Sequence, residues 1–478
     1  MKNAKLRALR AIILFPALVA GCASASDFKR PDASELAPAD WRWKVAEPTA
    51  EMPKGAWWRL YGDTELNRLE ELALSGNQTI AAAAAKVEQA RALARMSKSQ
   101  LYPNLSGNGA YQHQRLSGNR PLPISTPMEV TPMDTDSHSL SLDMVYELDL
   151  FGRIRHGEAS TRNQAVANAA DLETIRLTIA ADLAANYFAL RAKDVDVASL
   201  QRAVELRQDT ANILGERFHK GLIPEIDASQ ALTELASAKA DLSGALRERA
   251  TLANAIALLC GRAPASLDIA PAAGPMSENP PLVPAGIPSR LLERRSDIAA
   301  AERRLEARYE EIGAARAACF PSISLVGSGG YLSTEASSLF SGDSATWSVA
   351  PKVSLPLFTA GRTKAEVERA KAAYDEALAN YRQSVLAAMR EVEDALASSA
   401  YLAEEQAAQM QALEFARHTA DLAAARYQSG LVDYITVATA ERNVLAQERK
   451  SALLTAQRYA ASVRLVKALG GSWETGGN

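Results

Sequence analysis

Histidines and glycine clusters are the residues of this sequence that could bind a metal ion or a phosphate group. None of the five histidines stands at the short spacing of a metal site; they are His113, His138, His156, His219 and His418. The cluster Gly327-Ser328-Gly329-Gly330 lies in a strand-like segment and lacks the spacing of a dinucleotide-binding loop. No nucleophile motif is present. The sequence therefore predicts that the protein is not an enzyme and binds no metal.

Cys22 offers the clearest covalent chemistry, because the residues around it resemble a bacterial lipoprotein signal. Basic residues are followed by an apolar stretch, 11–20, that is too short to cross a bilayer as a helix. Small residues lead into the cysteine, and Ala23-Ser24-Ala25-Ser26 follows as a short tether. We expect residues 1–21 to be removed and Cys22 to carry lipid, including palmitate, as the only cofactor. An ordinary secretory signal with an incidental cysteine is the alternative.

The two remaining cysteines, Cys260 and Cys319, could pair in an oxidising periplasm. They fall, however, at opposite ends of a helical pattern over about residues 289–318, which would separate them by tens of Å. We therefore expect two buried free thiols.

The net charge of the chain limits the kinds of partner that it is expected to bind. The chain has 53 basic and 56 acidic residues, and loss of the four basic residues within 1–21 leaves a net charge of −7. A mildly acidic chain is not expected to bind nucleic acid.

The sequence is an internal duplication. Arg217-Phe218-His219-Lys220-Gly221-Leu222 recurs 209 residues later as Arg426-Tyr427-Gln428-Ser429-Gly430-Leu431, and Cys260-Gly261 recurs as Leu469-Gly470. Upstream motifs around Tyr102 and Leu150 recur around Phe320 and Leu357. Two structural units of one design are indicated. The predicted divisions are a signal peptide (1–21), a lipid-anchored extended strap (22–63), a first repeat (64–260), a proline-rich linker (261–288), a second repeat (289–470) and a tail (471–478).

Each repeat predicts long helices. Helical patterns run from about 63 to 101, from Arg153 to about His219 and from about 226 to 259, and the second repeat has the corresponding stretches from Gly361 to about 428 and from 433 to 469. A helix from Arg153 to His219 would be about 100 Å long. Helices of this length imply coiled-coil packing.

Four strands interrupt the helices. Alternation of apolar and polar residues is clearest over 138–150 and about 347–357, and weaker, glycine-rich strands are predicted over 104–115 and 321–332. Residues 116–137 and 333–345 have loop compositions. Each strand has about the length of a tilted transmembrane β-strand. An open sheet cannot survive in hydrocarbon, because its edges would leave backbone groups unpaired. Helices running away from the strands cannot cover a soluble sheet, so we expect several chains to close one barrel together.

These features together resemble the outer-membrane efflux protein family, the TolC-like channels, and within it the lipoprotein branch that serves drug-efflux pumps. The matching motifs are Trp57-Trp58, Glu147-Leu148-Asp149-Leu150-Phe151-Gly152-Arg153, Arg294-Arg295-Ser296-Asp297-Ile298 and Lys467-Ala468-Leu469-Gly470-Gly471. The implied fold is mainly α, with a long antiparallel coiled-coil tunnel and a four-stranded contribution to a trimeric transmembrane β-barrel. The resemblance implies a homotrimer; geometry alone also permits two chains with eight strands.

The implied function is that of the outer-membrane channel of a tripartite efflux system, passing small toxic compounds or drugs. Its partners would be a periplasmic adaptor (membrane-fusion) protein, an inner-membrane transporter of the RND type and outer-membrane lipid. A channel of the same build for protein secretion, a structural coiled-coil lipoprotein without a pore and an envelope enzyme are the other interpretations. The alternating strands argue against the coiled-coil lipoprotein.

The two helical turns are the expected docking tips for the adaptor. The family motif places Arg217, Gly221 and Leu222 in the first tip, with Arg426, Gly430 and Leu431 in the second. The glycines also suit ordinary helix C-caps, and both roles can hold.

The family's periplasmic gate maps just past the second turn. Thr439 stands where relatives often have a pore-facing aspartate, and Ile435 one turn earlier would be an apolar constriction. We hypothesise closure by Ile435 packing and hydrogen bonds, with Asp433 and Arg442 as ionic contributors.

Asp143, Glu147 and Asp149 would line the barrel lumen and favour cations. For Asp149, a role as cap of the helix that follows Gly152 is an equal alternative.

Overall fold

A computed structural model describes residues 28–29, 42, 55–119, 131–272, 274, 276–277, 279–283 and 294–471. Cys22, the signal 1–21, most of the strap and the residues after 471 lie outside this part of the chain. Within the described residues the protein has seven α-helices and one sheet of four strands.

The first repeat begins with helices α1 (Thr64–Gly76) and α2 (Gln78–Ser99). Strands β1 (Asn104–Leu116) and β2 (Met133–Leu148) follow, and then α3 (Arg153–His219) and α4 (Glu225–Leu259). The second repeat contains α5 (Ser296–Ala317), β3 (Ser322–Ser333), β4 (Ala345–Ser354), α6 (Arg362–Gln428) and α7 (Tyr434–Ala468). Helices α3 and α6 both have 67 residues, and α4 and α7 both have 35, so the duplication extends to element length.

One helix break was not predicted. The pattern over 63–101 indicates a single helix, but the chain is interrupted at Asn77, whose side-chain Oδ1 accepts hydrogen bonds from the backbone N–H groups of Thr79 and Ile80. Its Nδ2 donates to the carbonyl of Leu259 at 2.8 Å. Here the backbones of Gly76 and Gly261 meet so closely that a Cβ on Gly261 would lie 2.0 Å from the Gly76 oxygen. The break therefore lets two backbones touch.

Strand boundaries differ slightly from those predicted. Strand β2 begins at Met133, inside the predicted loop 116–137, and it ends at Leu148 rather than at residue 150. Strand β4 ends at Ser354, three residues before the predicted end. In the predicted loop 333–345, two single-turn 3-10 helices, Ala336–Ser338 and Gly342–Ser344, connect β3 to β4.

The sheet is an antiparallel meander in the order β1-β2-β3-β4. Leu142 of β2 lies opposite Gly107 of β1 and Gly329 of β3, and Leu140 lies opposite Gly109. A Cβ on Gly107 or Gly109 would lie 3.8 or 3.7 Å from these leucine side chains. The leucine side chains of β2 therefore lie over the glycines of the neighbouring strands at van der Waals distance.

The chain divides into two compact units, each built from both repeats. One consists of residues 1–30, 88–167 and 302–379, and contains the sheet. In it, Phe151 and Phe320 stack with their ring centroids 4.9 Å apart, and His156 bonds Glu310. The other consists of residues 31–87, 168–301 and 380–478, and contains both helical turns.

The prediction for the cysteines was half right. Both are free thiols, and Cys260 is buried, but Cys319 is exposed. Cys260 follows the last residue of α4 and packs against α1, where its Sγ lies 3.5 Å from the Leu69 carbonyl oxygen. Burial raises the pKa of the Cys260 thiol to about 11. Cys319 lies between the end of α5 and the start of β3, and its side chain is exposed.

Candidate functional site: two helical tips and the helices below them

Both helical turns have the same backbone structure. Gly221 and Gly430 adopt φ angles of 69° and 70°, in the left-handed region that glycine enters without steric cost. The N–H of Leu222 donates to the carbonyl of Arg217 at 2.9 Å, and that of Leu431 donates to the carbonyl of Arg426 at 2.9 Å. These bonds form the Schellman motif, so the repeated spacing of arginine, glycine and leucine is the spacing of a helix terminator.

The side chains of the tips nevertheless point outward. Leu222 and Leu431 are 69% and 68% exposed, although the residue after a Schellman glycine often packs back onto its helix. Arg217 and Arg426 are exposed as well. Each tip therefore presents one apolar and one cationic side chain at a Schellman turn, which is a surface suited to a protein partner.

An apolar cluster joins the two hairpins directly below the tips. Leu214 of α3 and Leu235 of α4 pack with Tyr434 and Ala438 of α7, and Ile223 and Tyr427 border the cluster. Burial, together with the neighbouring carboxylates Glu441 and Glu234, raises the pKa of the Tyr434 hydroxyl to about 12. The start of α7 is therefore fixed against the first hairpin.

A cluster of charges lies beside these apolar contacts. Glu234 Oε1 of α4 lies 3.4 Å from Arg442 Nε of α7, and its Oε2 lies 3.5 Å from Arg207 Nη2 of α3. Arg207 also donates to the backbone carbonyl of Glu234 at 3.3 Å. Desolvation raises the pKa of Glu441 in the same region. The side chain of Glu234 on α4 therefore contacts both α3 and α7.

Three of the four predicted gate residues are linked by hydrogen bonds on α7, and the fourth, Asp433, precedes this helix. The Thr439 hydroxyl donates to the Ile435 carbonyl at 2.7 Å and accepts a bond from Arg442 Nη2 at 3.3 Å. These three residues share one helical face, and Ile435 is 40% exposed. Asp433 precedes α7, and its side chain makes no capping hydrogen bond. The ionic partner of Arg442 is Glu234, which sequence reasoning did not single out.

The sheet presents a second candidate surface, the polar face of β2. The register aligns Asp143 with Ser106, Ser328 and Ser348 across all four strands. The Asp143 carboxylate accepts hydrogen bonds from Asn108 at 2.5 Å and from Ser141 at 3.0 Å. Asp143 is therefore a half-buried, hydrogen-bonded carboxylate in a polar row.

The other two predicted lumen residues, Glu147 and Asp149, accept hydrogen bonds from the first residues of α3, close to the turn between β2 and α3. Glu147 accepts two hydrogen bonds from Arg153, at 3.1 and 2.8 Å. The Asp149 carboxylate accepts from the backbone N–H groups of Ile154 and Arg155, at 3.1 and 2.8 Å. Its contacts are those of a helix cap, and it follows the end of β2. Lys352 is in the same cross-strand row as Glu147, so the polar face also carries positive charge.

No group of three or more metal-ligating side chains is found in the described ranges. None of the helices described in the structure combines the length and hydrophobicity needed to cross a bilayer.

Long helical hairpins that continue from a four-stranded amphipathic sheet define an outer-membrane channel of the tunnel-and-barrel build. The chain matches the outer membrane efflux protein family over residues 69–262 and 287–471, and therefore belongs to it. This is a family of transport proteins and not of enzymes. The two matched ranges correspond to the two halves of the internal duplication.

Relatives match along nearly the whole chain. The outer membrane protein OprJ of Pseudomonas aeruginosa is 32% identical over 97% of this chain and 96% of its own length. The toluene efflux pump outer membrane protein TtgF of Pseudomonas putida is 30% identical, over 95% of each chain. The solved outer-membrane channel OprN superposes with a TM-score of 0.84 at 30% identity, covering 94% of this chain and 99% of that one.

Proposed function

We propose that three copies of this chain form the outer-membrane exit duct of a tripartite efflux pump. The observation that carries the proposal is the sheet, in which β1 and β4 are edge strands and one face is apolar. An amphipathic sheet with two open edges must pair further to be stable in hydrocarbon, and bacterial barrels have at least about eight strands. A homotrimer would join each β4 to the β1 of the next copy.

The tips are the proposed docking surface for a periplasmic adaptor protein. Leu222 and Leu431 offer exposed apolar contacts, and Arg217 and Arg426 add positive charge at the same turns. In this proposal the adaptor connects the duct to an inner-membrane RND-type transporter, which selects the cargo. Apolar anchors surrounded by charge are typical of specific protein interfaces.

Below the tips, the charge cluster is proposed to hold the duct closed. Opening would move α7 away from the first hairpin, which would separate Arg442 from Glu234 and expose Tyr434. We infer that Ile435 and Thr439 face the lumen there. Cysteines introduced as Ile435→Cys or Thr439→Cys should, when oxidised across the pore, abolish export reversibly. If oxidation leaves export intact, the gate lies elsewhere.

We propose further that Cys22 carries lipid after removal of residues 1–21, which would anchor each subunit beside its barrel. The support is the sequence around Cys22, since several acyl chains give stable anchoring where one gives marginal binding. A Cys22→Ser variant should lose incorporation of labelled palmitate but retain its channel.

The cargo is proposed to be small toxic compounds or drugs. A relative at 30% identity is named for the efflux of toluene, a small apolar solute. The test is complementation of a drug-sensitive strain that lacks its own outer-membrane channel. Expression of this chain with its adaptor and pump should restore resistance, and a variant with both Leu222→Asp and Leu431→Asp should not. Resistance that is unaffected by the double substitution would rule out docking through the tips.

A further inference from the structure

The second helical hairpin, formed by α6 and α7, has buried amides where a coiled coil normally has apolar side chains. Gln406 and Gln409 of α6 are only 2% and 4% exposed. Gln409 Nε2 donates to the backbone carbonyl of Gln447 at 3.1 Å and to its side-chain Oε1 at 2.8 Å. Gln406 Nε2 donates to Ser451 Oγ at 3.3 Å, and its Oε1 is buried without a hydrogen-bond partner in the described residues. These four residues are called the glutamine layer below.

The first hairpin has an apolar layer at the same place. The duplication aligns α3 with α6 and α4 with α7 residue for residue, since the helices of each pair have equal length. The two glutamines of α6 then correspond to Val197 and Leu200, and the serine of α7 corresponds to Leu242. Val197 and Leu200 are buried in one apolar cluster with Ala245, and Leu242 packs against it. The first hairpin therefore pairs its helices at this level without any buried amide.

A layer of amides holds two helices together less firmly than a layer of valine and leucine. Burial of an amide costs free energy that its hydrogen bonds do little more than offset, and the unpartnered Oε1 of Gln406 adds to this cost. Burial of apolar side chains is favourable throughout. The contact between α6 and α7 is therefore weak at this layer, which lies about 30 Å from the end of α6. Segments with few buried apolar contacts are the ones that open locally.

At the same level, α7 is fixed to the first hairpin. Arg449 lies between Gln447 and Ser451 in the sequence, and its Nε is 2.7 Å from Asp196 Oδ1 of α3. Asp196 is 5% exposed and also pairs with Lys193 at 3.0 Å. A buried ion pair is costly to break, because the remaining charge would be left without a partner. Helix α7 is therefore anchored to α3 at the level where its contact with α6 is weak.

We propose that the second hairpin bends at the glutamine layer when the duct opens. The part between this layer and the turn would move, and the part of α7 beyond Arg449 would stay in place. Nearer the turn, the hairpin meets the first hairpin through the apolar cluster around Tyr434 and through the Arg442–Glu234 pair. These are the contacts that the proposed gate would release. The role of the bend in opening rests on the proposed function, whereas the bend itself does not.

Amide hydrogen exchange of the purified protein in detergent tests the bend. In wild type, residues 410–428 of α6 should exchange roughly tenfold faster than the matching residues 201–219 of α3. The double variant Gln406→Val with Gln409→Leu, which has the residues that the first repeat accommodates, should bring the two rates together. Gln411→Leu, at an exposed glutamine of the same helix, is the matched control and should leave the rates unchanged. Equal rates in wild type, or a difference that persists in the double variant, would overturn the proposal.

Single-channel conductance then connects the bend with opening. Glu234→Gln is expected to open the duct, and adding the double variant to it should return the conductance to near the wild-type value. A conductance as high as that of Glu234→Gln alone, although exchange has slowed, would overturn the proposal, because the bend would then not control the duct. If Glu234→Gln alone has the wild-type conductance, the proposed gate fails, and the exchange rates still decide whether the hairpin bends at this layer.

Discussion

Arg442 on the last helix lies 3.4 Å from Glu234 on the first hairpin, and this ion pair bridges the two repeats of the chain. Glu234 is largely buried and also contacts Arg207, so the loss of either partner would leave a charge with poor solvation. The pair lies next to the apolar cluster that fixes the start of α7. In the gate that we propose, it is the contact that opening would break.

Neutralising this carboxylate should loosen the closed state. For Glu234→Gln we expect a several-fold higher single-channel conductance in planar bilayers and greater entry of large antibiotics into cells. Arg417→Ala is the matched control, since Arg417 pairs with Glu448 at 2.7 Å outside the cluster and is more than half exposed. Equal conductance in Glu234→Gln and wild type would show that the pair does not restrain the channel.

The tip glycines should be sensitive to substitution because of their backbone conformation. Gly221→Ala and Gly430→Ala force alanine into the left-handed region, and each should destabilise the protein by about 1 kcal/mol. Gly215→Ala is the control, because Gly215 lies within α3 with open space around it and alanine favours a helix. Thermal unfolding should show losses at the tips and a small gain at 215. A gain at all three positions would contradict the assigned turns.

Glu70 should make stability depend on pH. Both of its carboxylate oxygens are buried without a hydrogen-bond partner in the described residues, and burial raises its pKa to about 9. A raised pKa in the folded state means that its contribution is fully present below about pH 4.5 and is lost as the pH rises through about 9. The melting temperature should therefore fall between pH 5 and pH 9.

Glu70→Gln should remove much of this decline, since the amide stays neutral. Glu71→Gln is the control, because Glu71 is exposed and its ion pair with Arg59, at 3.5 Å, lies at the surface. Parallel melting curves for the Glu70 variant and wild type across this pH range would show that Glu70 is not the group responsible.

The aspartates at the polar face should differ in role. Asp143→Asn should reduce the preference of the channel for cations, because Asp143 is a half-buried carboxylate in the polar row. Asp149→Asn should leave selectivity nearly unchanged but destabilise the protein by about 1 kcal/mol, because a cap of α3 is lost. Reversal potentials in a salt gradient, measured with unfolding curves, separate the two. A selectivity change in Asp149→Asn alone would reverse this assignment.

Much of the fold could be predicted from the sequence because glycine and proline mark where its helices end. The predicted start at Arg153 and the end at His219 agree with the structure, since Gly152 and Gly221 adopt left-handed conformations at the two boundaries. The break at Asn77 could not be predicted. It depends on the carbonyl of Leu259, which is 182 residues away in the sequence.

In the candidate site, too, local features could be predicted from the sequence and contacts between distant residues could not. The spacing of Arg217, Gly221 and Leu222 indicated a turn because the Schellman motif is local. The partner of Arg442 was missed, because nothing in a single helix tells which acid on a neighbouring helix will face it. Asp143 and Asp149 look equivalent in an alternating pattern, and only the end of β2 at Leu148 separates them.

The mass of the detergent-solubilised protein, measured by light scattering with the detergent contribution subtracted, shows whether several chains build one barrel. We expect a particle of three chains that requires detergent to stay in solution, because the described part of each chain supplies only four strands of a barrel. A monomer that remains soluble in water without detergent would contradict it.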